Sequence, residues 1–321
     1  MTNVAVLDDY QGRARELADW ASLGPAVSVD FFREPIGQDD LARTLERFEV
    51  LVLMRERTAF PRTVLERLPN LQLLVTTGMA NASVDVGYLG ERGVIVSGTG
   101  GTSGPQPPGL PSPVEVAWAL ILAAVKRVTV EDRAIRSGSW QLDLPSTLGG
   151  TTLGLAGLGR LGGAMVAPAR TFGMSVVAWS ENLTDERAEQ LGVQRVSKEE
   201  LLARSDVLSI HLVLSDRTRG LFGAPELALL RPGAVLINTS RGPIVDETAL
   251  VDALARGVLT AGLDVYDREP LPAGHPLTTL DNAILLPHVG YVSPEGFRVM
   301  YGQAVEDIEA FLAGSPIRRI G

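Results

Sequence analysis

The fold is decided by Thr151-Thr-Leu-Gly-Leu-Ala156, then Gly157-Leu158-Gly159-Arg160-Leu161-Gly162, then an apolar segment to Gly173 and Ser175-Val-Val-Ala-Trp179. It reads as strand, glycine turn, helix, strand. Each glycine has its own task in a dinucleotide site. Gly157 permits a tight turn, Gly159 lets a pyrophosphate approach backbone that carries no Cβ, and Gly162 lets the helix pack on the strand. The free N–H groups at the helix start, around Arg160 and Leu161, then face the anion. A G-x-G-x-x-G run alone is weak, because any glycine-rich turn can spell it; the flanking strand, helix and second strand give it weight. The acid that holds the ribose hydroxyls is expected at the end of the second strand. Ser180 stands there, with Glu181 beside it. Glu181 can take both hydroxyls and would repel a 2′-phosphate, and the nearest downstream arginine is Arg187. The stretch therefore favours NAD, while Ser180 leaves NADP open.

The chain has 321 residues, 45% of them hydrophobic, enough for two domains with cores of their own. A net charge of −9 repels polyanions, so nucleic acid is not an expected partner. There are no cysteines, which excludes disulfides, thiolate metal sites and cysteine nucleophiles, and no metal site is expected. The start, Met1 to Tyr10, has neither a basic segment nor an apolar core, and so does not read as a signal peptide. The longest apolar run, Val116 to Val125, is far short of the roughly 20 residues of a membrane span. A soluble, cytoplasmic protein without a membrane partner is the expectation.

Outward from the glycine turn, β-like and helix-like segments alternate in both directions. Before it, strands are expected at Val4–Leu7, Val27–Phe32, Val50–Met54, Leu71–Thr76 and Val94–Val96, with helices at Arg13–Leu23, Asp39–Phe48 and Arg62–Leu68. This alternation implies a small parallel sheet, with ligands beyond the carboxyl ends of its strands. Two of those ends carry chemistry: Arg55-Glu56-Arg57 and Thr77-Gly78-Met79-Ala80-Asn81. Gly98 to Pro113 is too rich in glycine and proline for a regular element and reads as a linker or a mobile loop. Val114 to Ile135 reads as one long helix. After Trp179, Ser197 with Glu200 forms a capping box. Strands follow at Asp206–Ile210, Ala234–Asn238, Thr260–Val265 and Ala283–Leu286, with helices at Ala224–Leu230, Asp246–Ala255 and Pro294–Ala313. Pro168 should bend the helix after the glycine turn.

Three strand ends in the second half are chemically unusual: Thr239-Ser240-Arg241-Gly242, Tyr266-Asp267-Arg268-Glu269-Pro270 and Pro287-His288-Val289-Gly290. In a parallel sheet they share the edge that bears the glycine turn. Taken singly, an arginine before glycine is often a solvated turn charge, a Glu-Pro pair a common loop, and a histidine a structural residue. Their joint placement favours a site. Of the three histidines, His211 also ends a strand and reads as a groove residue, and His275 reads as a loop residue.

Gly157–Gly162, Asn238-Thr-Ser-Arg-Gly-Pro-Ile-Val-Asp246, Gly262-Leu-Asp-Val-Tyr-Asp-Arg-Glu-Pro-Leu271 and Leu286-Pro-His-Val-Gly290 together resemble the D-isomer-specific 2-hydroxyacid dehydrogenases. That family includes phosphoglycerate dehydrogenase, glycerate dehydrogenase and hydroxypyruvate reductase. The likeness covers nearly the whole chain, including Thr77–Asp85 and Val116–Leu122. It implies an α/β fold of two doubly wound parallel-sheet domains. A Rossmann dinucleotide-binding domain (104–291) would be inserted in a smaller flavodoxin-like substrate domain (1–103 and 292–321). By the resemblance, Arg241 would bind the substrate carboxylate and keto oxygen. His288 would be the general acid/base, with Glu269 as its partner. Asp264 would hold the nicotinamide carboxamide. Leu212, Thr218, Thr239 and Ser240 would line the cofactor groove, with Arg241, His288 and Gly290 beside it. The loop around Met79, Ala80 and Asn81 would close on a small 2-keto or 2-hydroxy acid, with Arg55 nearby. The family works as homodimers with a cleft between two domains.

The departures are Ser180 in place of the usual acid, the unusual 98–113 linker, and Tyr291, which stands where a small residue is common and could narrow the pocket. With the sequence ending at Gly321, the regulatory extension of long phosphoglycerate dehydrogenases is expected to be absent. Arg55 and Arg57 could meet a substrate phosphate, although such arginines are more often solvated. An NAD(H)-sensing corepressor built on the same fold is the alternative. Formate dehydrogenase is disfavoured, because that relative carries glutamine where this chain has Glu269.

Overall fold

The computed structural model describes residues 1–100 and 109–321. Their contacts divide into two compact units, Met1–Pro108 with Val292–Gly321, and Gly109–Tyr291. The expected boundary at 103/104 and half of the glycine- and proline-rich break lie outside the described residues.

The first unit is a five-stranded sheet in the order β2-β1-β3-β4-β5, built from β1 (Thr2–Val6), β2 (Val27–Phe31), β3 (Val50–Leu53), β4 (Leu73–Thr76) and β5 (Ile95–Gly98). All its pairings are parallel. Its central strands are unbroken apolar runs, such as Val50-Leu-Val-Leu53, buried at every position. Helices on both faces of a parallel sheet require such runs. The helix Pro294–Leu312 belongs to this unit and is started by Ser293, whose hydroxyl accepts the Gly296 N–H at 3.0 Å.

The second unit is a seven-stranded sheet in the order β12-β11-β10-β9-β6-β7-β8. Its strands are β6 (Thr152–Ala156), β7 (Ser175–Trp179), β8 (Gln194–Arg195), β9 (Val207–Ile210), β10 (Ala234–Asn238), β11 (Leu259–Leu263) and β12 (Ala283–Leu285). Again every pair is parallel. The chain leaves β6 toward β7 and β8 on one side, then returns to place β9 on the other side of β6. The order therefore reverses between β6 and β9, where α/β sheets bind ligands. Gly154 lies in the middle of β6 because a Cβ there would sit 1.8 Å from the Ser205 hydroxyl.

Several helices differ from the sequence reading. The span Val114–Ile135 is two helices, Ser112–Val125 and Val128–Arg136, parted at Arg127 with φ 54°. The first is almost wholly apolar and packs on β10 and β11. The second carries one buried residue, Ala134, and lies on the surface, so the chain turns where its apolar character changes. The helix expected at Arg13–Leu23 breaks at Ala18, which is extended, and resumes as a 3-10 turn over Trp20–Leu23. The glycine-turn helix runs Arg160–Ala164 and then Val166–Thr171. The ring of Pro168 would meet the Ala164 carbonyl four residues back, which accounts for the break at that point. The capping box of Ser197 and Glu200 is present, with bonds of 3.1 and 2.9 Å.

Candidate active site

The second sheet is in register across its carboxyl edge. Trp179, Ala156, Ile210, Asn238, Leu263 and Leu285 form one row across β7, β6, β9, β10, β11 and β12. The next residue on each strand is Ser180, Gly157, His211, Thr239, Asp264 and Leu286. Every expected site residue of this unit lies on that rim or in the few residues beyond it, so parallel pairing alone brings the scattered motifs to one edge.

The glycine turn divides the three glycines by role. Gly157 has φ 102°, and a Cβ on it would lie 2.5 Å from the His211 carbonyl oxygen. A Cβ on Gly162 would lie 2.0 Å from the Gly157 carbonyl oxygen. These two are demanded by the fold itself. Gly159 is exposed and has no atom within 4 Å of its Cβ position, so the fold does not require it. A Cβ there would occupy only the space above the helix start at Arg160 and Leu161, where an anion is held by backbone N–H groups. The residues present therefore fit a dinucleotide. Ser180 and Glu181 end β7, and Glu181 faces Arg217 at 3.7 Å in an exposed ion pair. Arg187 does not join them: it donates to the Leu158 carbonyl at 3.2 Å.

His211 forms the wall under the turn. Its Nε2 meets the Ser209 hydroxyl at 2.9 Å, and burial pushes its pKa down to about 4, so it is neutral at pH 7. Leu212 is half-buried against Gly157. Thr218 closes the following turn, donating to the Val213 carbonyl at 2.7 Å and accepting the Ser215 N–H at 2.8 Å. Ser240 ties the rim of β10 to β9 by donating to the Ile210 carbonyl at 2.8 Å. Thr239 is half-buried beside it.

Arg241 follows, with Nη1 on the Ser240 carbonyl at 2.7 Å. Asn238 braces this loop, donating to the Arg241 carbonyl at 2.9 Å and accepting the Ser240 N–H at 3.0 Å. Gly242 is fixed by packing, since a Cβ there would meet the Tyr266 carbonyl carbon at 2.1 Å.

His288 and Glu269 are in direct contact: Nδ1 to Oε2 is 2.6 Å. The other carboxylate oxygen of Glu269 accepts the Tyr266 N–H at 3.0 Å, so the acid is held at both ends. An ionised carboxylate only accepts, so Nδ1 carries the hydrogen and Nε2 remains for a substrate. His288 itself has φ 53°, an uncommon conformation for a non-glycine residue. Asp264 maintains it. That side chain is buried and accepts the N–H groups of Val289 and Gly290, each at 2.8 Å. Burial raises the Asp264 pKa, against the pull of those two bonds. Both oxygens of Asp264, of which a carboxamide contact was expected, thus clamp the histidine loop. Gly290 lies against this clamp, its Cβ position 2.9 Å from Asp264 Oδ2. Tyr291 packs edge-on to the His288 ring at 5.4 Å.

Two contributions were not read from sequence. Tyr266 is buried, donates to the Leu286 carbonyl at 2.9 Å and links the ends of β11 and β12. His275 bonds Glu247 at 3.1 Å and accepts the Leu277 N–H at 3.3 Å, a structural brace where a plain loop residue was expected. Neither leaves a local pattern, since the partners meet only in the folded chain.

Met79, Ala80, Asn81 and Arg55 belong to the first unit, after β4 and β3. Met79 is half exposed and Ala80 is exposed. Asn81 departs from expectation. Its side chain is buried, donating to the Arg55 carbonyl at 2.8 Å and the Thr76 hydroxyl at 2.9 Å, and accepting the Ser83 N–H at 2.9 Å. It is a strut for the loop, and any substrate contact would fall to its neighbours. Arg55 has φ 53° and lies against Gly78. Arg57 stacks on Tyr10 at 4.6 Å and donates to the Asp8 carbonyl at 2.7 Å, so it is not simply solvated. Among the described residues, no group of three or more His, Asp or Glu could hold a metal ion. No helix among them is long and apolar enough to cross a membrane.

Residues 118–290 match the family described as D-isomer specific 2-hydroxyacid dehydrogenase, NAD binding domain. A glyoxylate reductase of Aeropyrum pernix is 35% identical over 295 residues, 89% of this chain and 86% of that one. A D-3-phosphoglycerate dehydrogenase of Archaeoglobus fulgidus is 33% identical over 88% of this chain, which spans 53% of that longer protein. Among solved structures, a phosphoglycerate oxidoreductase from Vibrio cholerae superposes with a TM-score of 0.90 at 34% identity, covering 98% of this chain and 100% of that one.

Proposed function

The chain belongs to the D-isomer-specific 2-hydroxyacid dehydrogenase family, and on that premise we propose that it reduces a small, unphosphorylated 2-keto acid. It is an NAD(H)-dependent oxidoreductase that exchanges a hydride between the cofactor and a D-2-hydroxy acid or its 2-keto form. The single observation that carries the site assignment is the 2.6 Å contact of His288 with Glu269 on the rim that also bears Arg241 and the glycine turn.

The bound nicotinamide supplies the hydride for reduction. The chain's residues do the rest. Arg241 offers a planar fork that suits a carboxylate bidentately, which lysine cannot copy. As hydride reaches the keto carbon, negative charge grows on the oxygen, and His288 delivers its Nε2 proton there. Such proton transfer is worth roughly 10²- to 10⁴-fold. Glu269 holds the ring in the orientation that aims Nε2 outward. Asp264 fixes the loop that carries the ring. Oxidation of the hydroxy acid runs these steps backward, with neutral His288 taking the proton.

Arg57 engaged with Tyr10 and Asp8 favours an unphosphorylated substrate, since a phosphate would have to compete for it. Kinetics with hydroxypyruvate, glyoxylate and phosphohydroxypyruvate, each with NADH and NADPH, test this choice. A preference for the phosphorylated acid would refute it. The intact Arg241, Glu269 and His288 set favours turnover over a purely NAD(H)-sensing role. A cytoplasmic homodimer completes the reading. It is supported by five apolar side chains, Val128, Ile135, Trp140, Leu142 and Leu144, which are 51 to 91% exposed within one short stretch. Sedimentation at micromolar concentration checks it, and a monomer there would refute it.

A further inference from the structure

The segment Ile317–Ile320 forms a strap along β5, the edge strand of the first sheet. The Ile320 N–H donates to the Val96 carbonyl at 2.8 Å, and the Gly98 N–H donates to the Arg318 carbonyl at 2.9 Å. The Ser97 hydroxyl donates to the Ile317 carbonyl at 2.8 Å. Arg318 locks this strap to the helix Pro294–Leu312. Its three guanidinium nitrogens donate to Asp307 at 2.9 Å, Glu306 at 2.8 Å and the Gln303 carbonyl at 2.7 Å. Asp307 is fully buried, and Arg318 has φ 47°, so the fork is held at some cost in backbone strain.

What the strap supports is the end of β5, which in turn carries the turn after β4. A Cβ on Gly98 would lie 2.5 Å from the Gly78 carbonyl oxygen, 3.2 Å from the Met79 Cα and 2.6 Å from Ile320 Cδ1, so this backbone is pressed between strap and turn. The Gly78 N–H donates to the Thr99 hydroxyl at 3.1 Å. The Gly100 N–H donates to the Gln303 side chain at 2.7 Å. Gln303 therefore serves both ends: its carbonyl receives Arg318 and its amide receives Gly100.

We propose that Arg318 is a positioning residue for the reaction, clamping the strap and Gln303 so that Gly98–Gly100 hold the Gly78–Met79 turn at a fixed height. This rests on the reading that the Met79–Asn81 turn meets the 2-keto acid. Arg318 touches neither substrate nor cofactor; it acts through two backbone layers. The fork is irreplaceable by lysine, whose single ammonium cannot reach Asp307, Glu306 and the Gln303 carbonyl together.

The test uses Arg318→Met, with Arg318→Lys and Gln303→Met alongside. Gln303→Met keeps the carbonyl that Arg318 uses and removes only the tie to Gly100, so it remains informative if Arg318→Met fails to fold. Glyoxylate reduction with NADH, NADH binding by fluorescence, and amide exchange are measured on each. A small displacement of a binding turn should raise the KM for glyoxylate about tenfold in Arg318→Met, with kcat and NADH affinity little changed and Arg318→Lys intermediate. Exchange should quicken at residues 77–81 and 96–100 and not elsewhere. Faster exchange there with an unchanged KM would overturn the substrate reading of the turn. Unchanged exchange in both Arg318→Met and Gln303→Met would overturn the clamp itself. A fall in kcat and KM together with faster exchange throughout the unit would reduce Arg318 to a structural residue.

Discussion

Alanine at Gly159 and at Gly162 should have opposite effects, although the two positions are three residues apart. At Gly162 the new methyl would lie 2.0 Å from the Gly157 carbonyl oxygen, whereas Cβ atoms essentially never come within 3.0 Å of a neighbour. The helix start must move by about an ångström against β6. Overpacking of this kind costs roughly 1–3 kcal/mol or more. For a unit of this size each kcal/mol lowers the melting temperature by roughly 2–4 °C, so a fall of about 2 to 12 °C is expected. At Gly159 the methyl meets nothing within 4 Å, and the residue has φ −73°, which alanine adopts readily. As the helix N-cap, glycine exceeds alanine there by less than about 1 kcal/mol, so the melting temperature should fall by no more than about 2–4 °C. The methyl would, however, stand where the pyrophosphate approaches, and NADH affinity should fall at least about tenfold, or 1.4 kcal/mol. Thermal melting without cofactor and fluorescence titration with NADH measure the two effects separately. Wild-type NADH affinity in a folded Gly159→Ala protein would refute the placement of the cofactor over this turn.

His288→Gln should lower kcat for 2-keto acid reduction by roughly 10²- to 10⁴-fold while leaving NADH binding intact, as seen by titration. Arg241→Lys keeps the charge and loses the fork, so kcat/KM should drop about 100-fold, mostly through KM; an unchanged value would remove Arg241 from carboxylate binding. Asp264→Asn replaces one acceptor by a donor facing the Val289 or Gly290 N–H. It should lower kcat about tenfold or more through misplacement of His288, measured at saturating NADH. His211 has a folded pKa of about 4, below its ordinary 6.5, so the unfolded chain binds the extra proton between those values. Stability from this group is complete above pH 6.5 and is lost as pH falls toward 4, by at most roughly 3 kcal/mol. Asp307 acts in the opposite sense. Burial lifts its pKa to about 6, so its contribution grows as pH falls from 6. A pH series of melting temperatures should therefore show a smaller acid-side loss in His211→Asn than in the wild type.

Much of the site was legible because it depends on sheet register. Once Thr152–Ala156, Ala234–Asn238, Thr260–Val265 and Ala283–Leu286 are read as parallel strands, Gly157, Arg241, Asp264 and His288 must share an edge. Asp264 and Asn81 show where that reasoning ended. Their residue types suited ligand contact, but only the folded chain shows that they bond within the protein, Asp264 to the Val289 and Gly290 N–H groups and Asn81 to Arg55, Thr76 and Ser83. The division of Val114–Ile135 at Arg127 was hidden for a related reason. Both halves have helix-forming residues, and the turn is set by what each half packs against. Neither the pairing of Glu247 with His275 nor the grip of Arg318 on Asp307 leaves a local pattern, since the partners meet only through tertiary structure.

The proposed reduction delivers a hydride to the keto carbon and a proton to its oxygen at the rim bearing Arg241, Glu269 and His288. It is tested most directly by incubating the protein with NADH and hydroxypyruvate and resolving the enantiomers of the glycerate formed. NADH consumption should be matched mole for mole by D-glycerate and slowed roughly 10²- to 10⁴-fold in His288→Gln. Formation of the L-enantiomer, or tight NADH binding with no product from any 2-keto acid, would contradict it.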